Sequence, residues 1–149
     1  MCCLLSALTE VPLRQDVAIT GAIDQHGRIQ AIGGVNEKIE GFHDAAVALG
    51  MSGAGGVIIP KANAGDLMLR PDVVEACAAG RFHVWAVSTV QEALEIFTGV
   101  PAGDLGEDGV YPEGSLLGIA QARAREFWER SLTSPQAHAR APRGAAETD

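Results

Sequence analysis

Lys38 is the first residue whose setting suggests chemistry, in the run GRIQAIGGVNEKIEGFHDAA from Gly27 to Ala46. Val35, Ile39, Phe42, Ala46 and Leu49 recur at steps of four, three, four and three, the spacing of one apolar helix face. Lys38 falls at the edge of that stripe, beside Phe42, and within the first helical turn. There the backbone N–H dipoles oppose a second positive charge by about 0.3–1 kcal/mol. An amine so placed is a candidate general base. The competing reading is a side chain that lies along the core edge with its ammonium in water or paired with Glu37 or Asp16. Periodicity alone favours the second.

A lysine base needs a nucleophile to serve. Ser6 sits in mid-helix between Leu5 and Ala7, its hydroxyl free to bond a preceding backbone carbonyl, whereas an activated serine is exposed at a turn. Ser52, Ser88 and Ser115 have no better setting. His26, His43, His83 and His138 lack metal-ligand spacing and no CxxC accompanies them, so they read as satisfied or exposed side chains and no metal is expected. Asp66, Asp72 and Glu75 flank a helix start, where carboxylates favour the helix dipole, and read as capping charges. Phe82 and Trp85 read as core. There is no GxxxxGK[ST] loop to cradle phosphates, and Gly53–Gly56 precedes a strand rather than opening a helix, so no cofactor is expected in this chain.

The elements that must position these residues follow from the pattern. Met1, Leu4, Leu5 and Leu8 mark one face of a core helix ending near Pro12. Val17–Ile23 and Arg28–Ile32 read as strands of a hairpin whose turn, Asp24 to Gly27, ends on a glycine able to adopt positive φ. The helix of Lys38 follows, closed by Gly50, with Glu37, Glu40 and Asp44 toward solvent. Then come a buried strand, GGVIIP, and a helical AGDLMLRPDVVEACAAG interrupted before Pro71. A further strand, FHVWAV, precedes a helix with Thr89 as N-cap and Glu92 completing a capping box. Residues 100–114, rich in Gly, Pro, Asp and Glu, read as a linker, 115–132 as a C-terminal helix, and 133–149 as a disordered tail. The alternation predicts a mixed α/β (α+β) domain, a small sheet with packed helices.

The totals exclude several functions. A net charge of −8 opposes nucleic acid and anionic lipid, and the basic residues Arg123, Arg125, Arg130, Arg140 and Arg143 are interleaved with Glu126, Glu129 and Glu147. No apolar run approaches the roughly 20 residues of a membrane span, and MCCLLSAL makes a poor signal peptide. The three cysteines, Cys2, Cys3 and Cys77, cannot all pair, which fits a reducing cytoplasm.

The ordered set Thr20-Gly21, a hairpin, Ile32-Gly33-Gly34-Val35 and then Lys38 near a helix start resembles the proteolytic domain of Lon proteases. GVIIPKANAGDL resembles that family's next strand and loop, and YPEGSLLGIAQARA resembles the C-terminal segment of Lon-related ATP-dependent proteases, so the similarity extends to about Leu132. An ordered match of several parts is far more specific than one motif.

The resemblance implies residues 1–99 as the C-terminal portion of a Lon-type proteolytic domain and an ATP-dependent serine endopeptidase of Ser-Lys dyad type. By it Lys38 is the dyad lysine and Thr20 the hydroxyl that orients it. It also implies unfolded proteins as substrates and a homo-oligomeric ring, with ATP used only by an ATPase region of full-length relatives. The family's serine, in a small-residue turn before the first helix, has no match here; it would lie upstream of Met1, leaving the chain alone inactive. Two alternatives remain: an inert remnant or oligomerisation module, and a nucleotide-binding module built on Gly33-Gly34.

Overall fold

The computed structural model describes residues 1–51 and 53–133. Ser52, His138, Arg140, Arg143, Glu147 and, beyond Thr133, the expected tail lie outside the described residues. The elements run α1 (Cys2–Thr9), β1 (Val17–Ile19), β2 (Ala22–Ile23), β3 (Ile29–Gln30), α2 (Val35–Ala48) and β4 (Gly56–Pro60). A 3-10 helix (Lys61–Asp66), α3 (Pro71–Ala78), β5 (His83–Val87), α4 (Val90–Thr98) and α5 (Leu116–Thr133) complete them.

The sheet explains why the GGVIIP run is apolar throughout. β4 lies between β1 and β5 and pairs parallel with both, Ile58 facing Ile19 on one side and Trp85 on the other. Side chains alternate across a strand, so Val57 and Ile59 meet Val35 and Ile39 of α2 and Val73 and Ala76 of α3. Ile58, pointing the other way, meets Val17, Ala93 and Phe97. A central parallel strand covered on both faces must be hydrophobic at every position, and residues 56–60 are all buried. A third cluster joins Val90 and Leu94 of α4 to Ala102 and Leu116. The result is a mixed α/β architecture, as the alternation predicts.

Several expected elements are redrawn. The single strand expected over Val17–Ile23 breaks at Thr20–Gly21: β1 joins the parallel sheet, while β2 turns away to pair with β3 in a separate hairpin. That hairpin turns at Gly27, φ 78°, as expected. Leu67–Arg70 is not helical, because Arg70 precedes Pro71 and takes extended angles (φ −56°, ψ 149°), so α3 starts at the proline itself. In α1 the face turned inward carries Cys2, Leu5 and Thr9 rather than Leu4, which is 75% exposed, so the expected core helix covers the core with only part of its apolar surface. Leu49 at the end of α2 is likewise exposed, although periodicity assigns it to the apolar stripe, and so are Phe127 and Trp128 of α5.

The local signals hold. Thr89 Oγ1 accepts the Glu92 N–H (3.4 Å), the cap as expected, but Glu92 Oε2 accepts the N–H of Ser88 (2.7 Å), one residue before the cap, rather than that of Thr89 as in the expected capping box. α2 ends in a Schellman motif, with Gly50 N–H donating to Val47 O and Met51 N–H to Ala46 O. Residues 100–114 form no helix or strand, but Pro101 O and Ala102 O accept the Leu116 and Leu117 N–H groups and so seat the start of α5. Arg123 of α5 pairs with Glu10 after α1 at 3.1 Å.

Candidate active site

The head of α2 is set by the chain that enters it. Gly34, the N-cap, has φ 68° and ψ 33°, a left-handed conformation that a side chain with a Cβ resists. That turn points the Gly33 carbonyl back along the helix start, where Lys38 Nζ donates to it at 3.1 Å. The lysine is exposed. It pairs with neither Glu37 nor Asp16: Asp16 takes a bidentate bond from Arg14 (3.0 and 2.7 Å), which holds its carboxyl below the usual range.

The approach to Gly33 is fixed by a residue that sequence reasoning missed. Asn63, in the 3-10 helix after β4, is buried, and its side-chain amide clamps both backbone groups of Ile32. The Ile32 N–H donates to Oδ1 at 3.0 Å and Nδ2 donates to Ile32 O at 3.1 Å. Nδ2 also donates to Asp66 Oδ2 at 3.3 Å. Asn36 of α2 adds a second tie to the same region, donating to Asp66 O and accepting the Met68 N–H. The available signal was an asparagine three residues after the proline that ends the buried strand; once the structure buries it, its amide must find partners.

Thr20 is held by other elements. It occupies the break between β1 and β2, anchored by its N–H to Ile58 O at 3.0 Å. It lines a cavity of about 320 Å³ with Cys2, Cys3, Ala22, Ile23 and Ile29. Burial pushes the Cys2 thiol up, so it is a poor thiolate at that wall. Lys38 does not line this cavity, and no hydrogen bond joins it to Thr20 among the described residues.

Among the described residues, no hydrogen bond joins a serine hydroxyl to Lys38. Ser6 Oγ donates to the following carbonyl of Val11 at 2.7 Å, not to a preceding one, because α1 ends at Thr9 and the chain folds back. Ser115 Oγ donates to Pro112 O and accepts the Gly118 N–H, which makes it a helix cap. Ser88 lies beside the start of α4, where its N–H is held by Glu92.

Residues 1–99 match the Lon protease (S16) C-terminal proteolytic domain. The chain belongs to the Lon protease family. A Lon protease homolog of Escherichia coli (strain K12) is 48% identical over 96 residues, 64% of this chain and 16% of that protein. A Lon protease homolog of Haemophilus influenzae is 40% identical over 122 residues, 82% of this chain and 20% of its own length. An archaeal Lon protease of Thermococcus kodakarensis is 41% identical over 93 residues, 62% of this chain and 13% of that protein. The chain thus spans a fifth or less of these Lon relatives. The matched stretch holds Thr20, the Gly33-Gly34 turn, Lys38 and Asn63 together.

The remaining candidates divide. Phe82 is core as expected, and Trp85 packs partly buried with His83 stacked on it at 5.4 Å and Arg14 over its ring at 5.8 Å. Asp72 acts in the first turn of α3, but through Arg70, whose guanidinium bonds both it and Asp44 and holds both carboxyls low. Glu40 accepts the Arg70 N–H, so Glu40 and Asp44 are engaged rather than simply solvated. His43 departs from expectation: it is neither exposed nor satisfied, being buried with Nδ1 lacking a hydrogen-bond partner. No helix among the described residues is long and apolar enough to cross a membrane.

Proposed function

We propose that this chain is part of a Lon-type serine endopeptidase acting in protein degradation, with Lys38 as general base and Thr20 as a supporting hydroxyl. The observation that carries the reading is the family match over residues 1–99, which includes the turn that anchors Lys38 at the head of α2.

The chemistry follows from the amine. A neutral lysine keeps two N–H donors and one lone pair, so Nζ can stay anchored on Gly33 O while its lone pair accepts the proton of an attacking serine hydroxyl. The tetrahedral oxyanion needs backbone N–H donors; collapse of that intermediate returns the proton from Nζ to the leaving amine, and water then releases the acyl group. In this reading the serine comes from outside the described residues: the Ser6, Ser115 and Ser131 hydroxyls donate to backbone carbonyls, and no hydrogen bond joins Ser88 to Lys38. Unfolded proteins as substrates, assembly as a homo-oligomeric ring, ATP use by a separate region and a cytoplasmic setting belong to the same proposal.

The second reading, a catalytically inert or oligomerising piece, is favoured by those occupied serine hydroxyls. Hydrolysis of an unstructured protein tests both. Residues 1–149 alone are expected to show no turnover, and a chimaera that adds the segment preceding α1 from the Escherichia coli relative is expected to gain it. Lys38→Ala in the chimaera should lower turnover by roughly 10²–10⁴-fold, the range for a general base. Equal turnover with and without Lys38 would sink the assignment, and Lys38-dependent turnover by the chain alone would remove the need for an outside serine.

A further inference from the structure

The carbonyl that holds Lys38 Nζ belongs to a pair of adjacent glycines, Gly33 and Gly34. Gly33 has no positive φ, and a Cβ placed on it would meet nothing within 4 Å, so no neighbouring side chain fixes its backbone. Two glycines in a row leave the dihedrals between them without the restraint that a side chain supplies. The Gly33–Gly34 peptide is instead held from its two ends. Downstream, Gly34 O accepts the Lys38 backbone N–H at 3.2 Å. Upstream, the Asn63 amide holds both backbone groups of Ile32. Asn63 is 5% exposed, and its amide has one workable orientation: both Nδ2 hydrogens are used, on Ile32 O at 3.1 Å and on Asp66 Oδ2 at 3.3 Å. A flipped amide would set Oδ1 against that carbonyl and that carboxylate, two groups that only accept.

We propose that Asn63, oriented by Asp66, is a positioning residue for Lys38: it acts through Ile32 to aim the Gly33 carbonyl and so sets where Nζ stands. This role rests on Lys38 being the general base. The amide does for Ile32 what a neighbouring strand would do, accepting its N–H and donating to its C=O, at a place where β3 has already ended at Gln30. With both peptide planes of Ile32 fixed, only the glycine dihedrals remain between the clamp and α2, and the helix holds their far end. The 3.1 Å bond from Nζ to Gly33 O follows from that double restraint. Without the clamp, an exposed amine on a flexible four-carbon stem samples many rotamers. A general base contributes only when held within reach of the proton it takes. Asp66, expected as a capping charge for the next helix, instead closes the 3-10 helix and orients the amide.

Lys38 and Lys61 are the only lysines of the chain, so lysine-selective isotope labelling gives one side-chain signal for each, with exposed Lys61 as the reference. Nuclear magnetic relaxation of these signals in the full chain measures order at each side-chain end. Wild-type Lys38 is expected to be the more ordered of the two, and Asn63→Ala to bring it down to the level of Lys61. Asp66→Ala should lower its order in part, and Asp66→Asn, which keeps an oxygen to accept from Nδ2, should restore it. Leu94→Ala, at a fully buried position packed with Val90, Ala102 and Leu116, weakens the fold without touching the clamp and should leave Lys38 unchanged. Equal order at the two lysines in wild type, or the same loss in Leu94→Ala as in Asn63→Ala, would overturn the role. Asp66 is exposed, so Asp66→Ala against Asp66→Asn decides if Asn63→Ala does not fold. In the chimaera, Asn63→Ala should lower kcat by roughly 10-fold to 10²-fold, as misplacing a catalytic group does, with KM for the unstructured protein within about twofold. Turnover that needs Lys38 but not Asn63 sinks the positioning role alone. Turnover indifferent to Lys38 sinks the general-base reading, while the ordering of Lys38 by Asn63 is read independently in the full chain.

Discussion

Replacing Asn63 by alanine tests whether the head of α2 is held by the clamp on Ile32. The substitution removes the two hydrogen bonds to Ile32, at 3.0 and 3.1 Å. At about 0.5–1.5 kcal/mol net for each bond, the loss is about 1–3 kcal/mol. Because Ile32 is half-buried, water recovers part of what its freed N–H and C=O lose, which keeps the value inside that range. At roughly 3 °C per kcal/mol for a domain of this size, Tm should fall by roughly 3–9 °C. Asn63→Asp separates hydrogen bonding from packing. It keeps an acceptor for the Ile32 N–H but sets a carboxylate against Ile32 O and beside Asp66, so it should destabilise at least as much as alanine near neutral pH. Urea denaturation gives the energies, and amide exchange at Ile32 and Lys38 locates the effect. A change under about 0.5 kcal/mol in Asn63→Ala with unaltered Ile32 protection would refute the clamp as the device that positions the Gly33-Gly34 turn.

Two further outcomes follow from packing and charge. Ile39→Ala, at a fully buried position between α2 and the sheet, should cost about 2–5 kcal/mol in urea denaturation; a loss under 1 kcal/mol would mean that α2 repacks. Arg70 holds the carboxyls of Asp44 and Asp72 below their ordinary values, so its stabilisation is present above the unfolded carboxylate value of about 3.9 and is lost as pH falls through the lower folded values. The Tm gap between wild type and Arg70→Gln should therefore be steady from pH 5 to 8 and close below about pH 4. A gap that persists at pH 2 would assign the Arg70 effect to something other than these two ion pairs.

The helix of Lys38, the positive-φ Gly27 of the hairpin turn, the all-apolar β4 and the Thr89 cap were legible because each depends on residues close in sequence: periodicity, a positive φ, a capping hydroxyl. Thr20 and the Gly33-Gly34 turn were legible for a related reason, since their order along the chain carries the Lon resemblance. The apolar stripes misled at Leu4 and Leu49. Periodicity shows which side of a helix is apolar but not how far along it another element reaches, and these positions have no neighbour to cover them.

By itself the sequence determined the family, most of the elements and the placement of Lys38 at a helix start, because these rest on local backbone preferences and on motif order. Only the tertiary structure decided where β1 parts from β2, that Asn63 spans 31 residues to grip Ile32, and that His43 and Asp44 meet Asp72. Those are contacts between segments distant in the chain. Their geometry depends on how α2, β4 and α3 pack together, and no spacing within one segment encodes it.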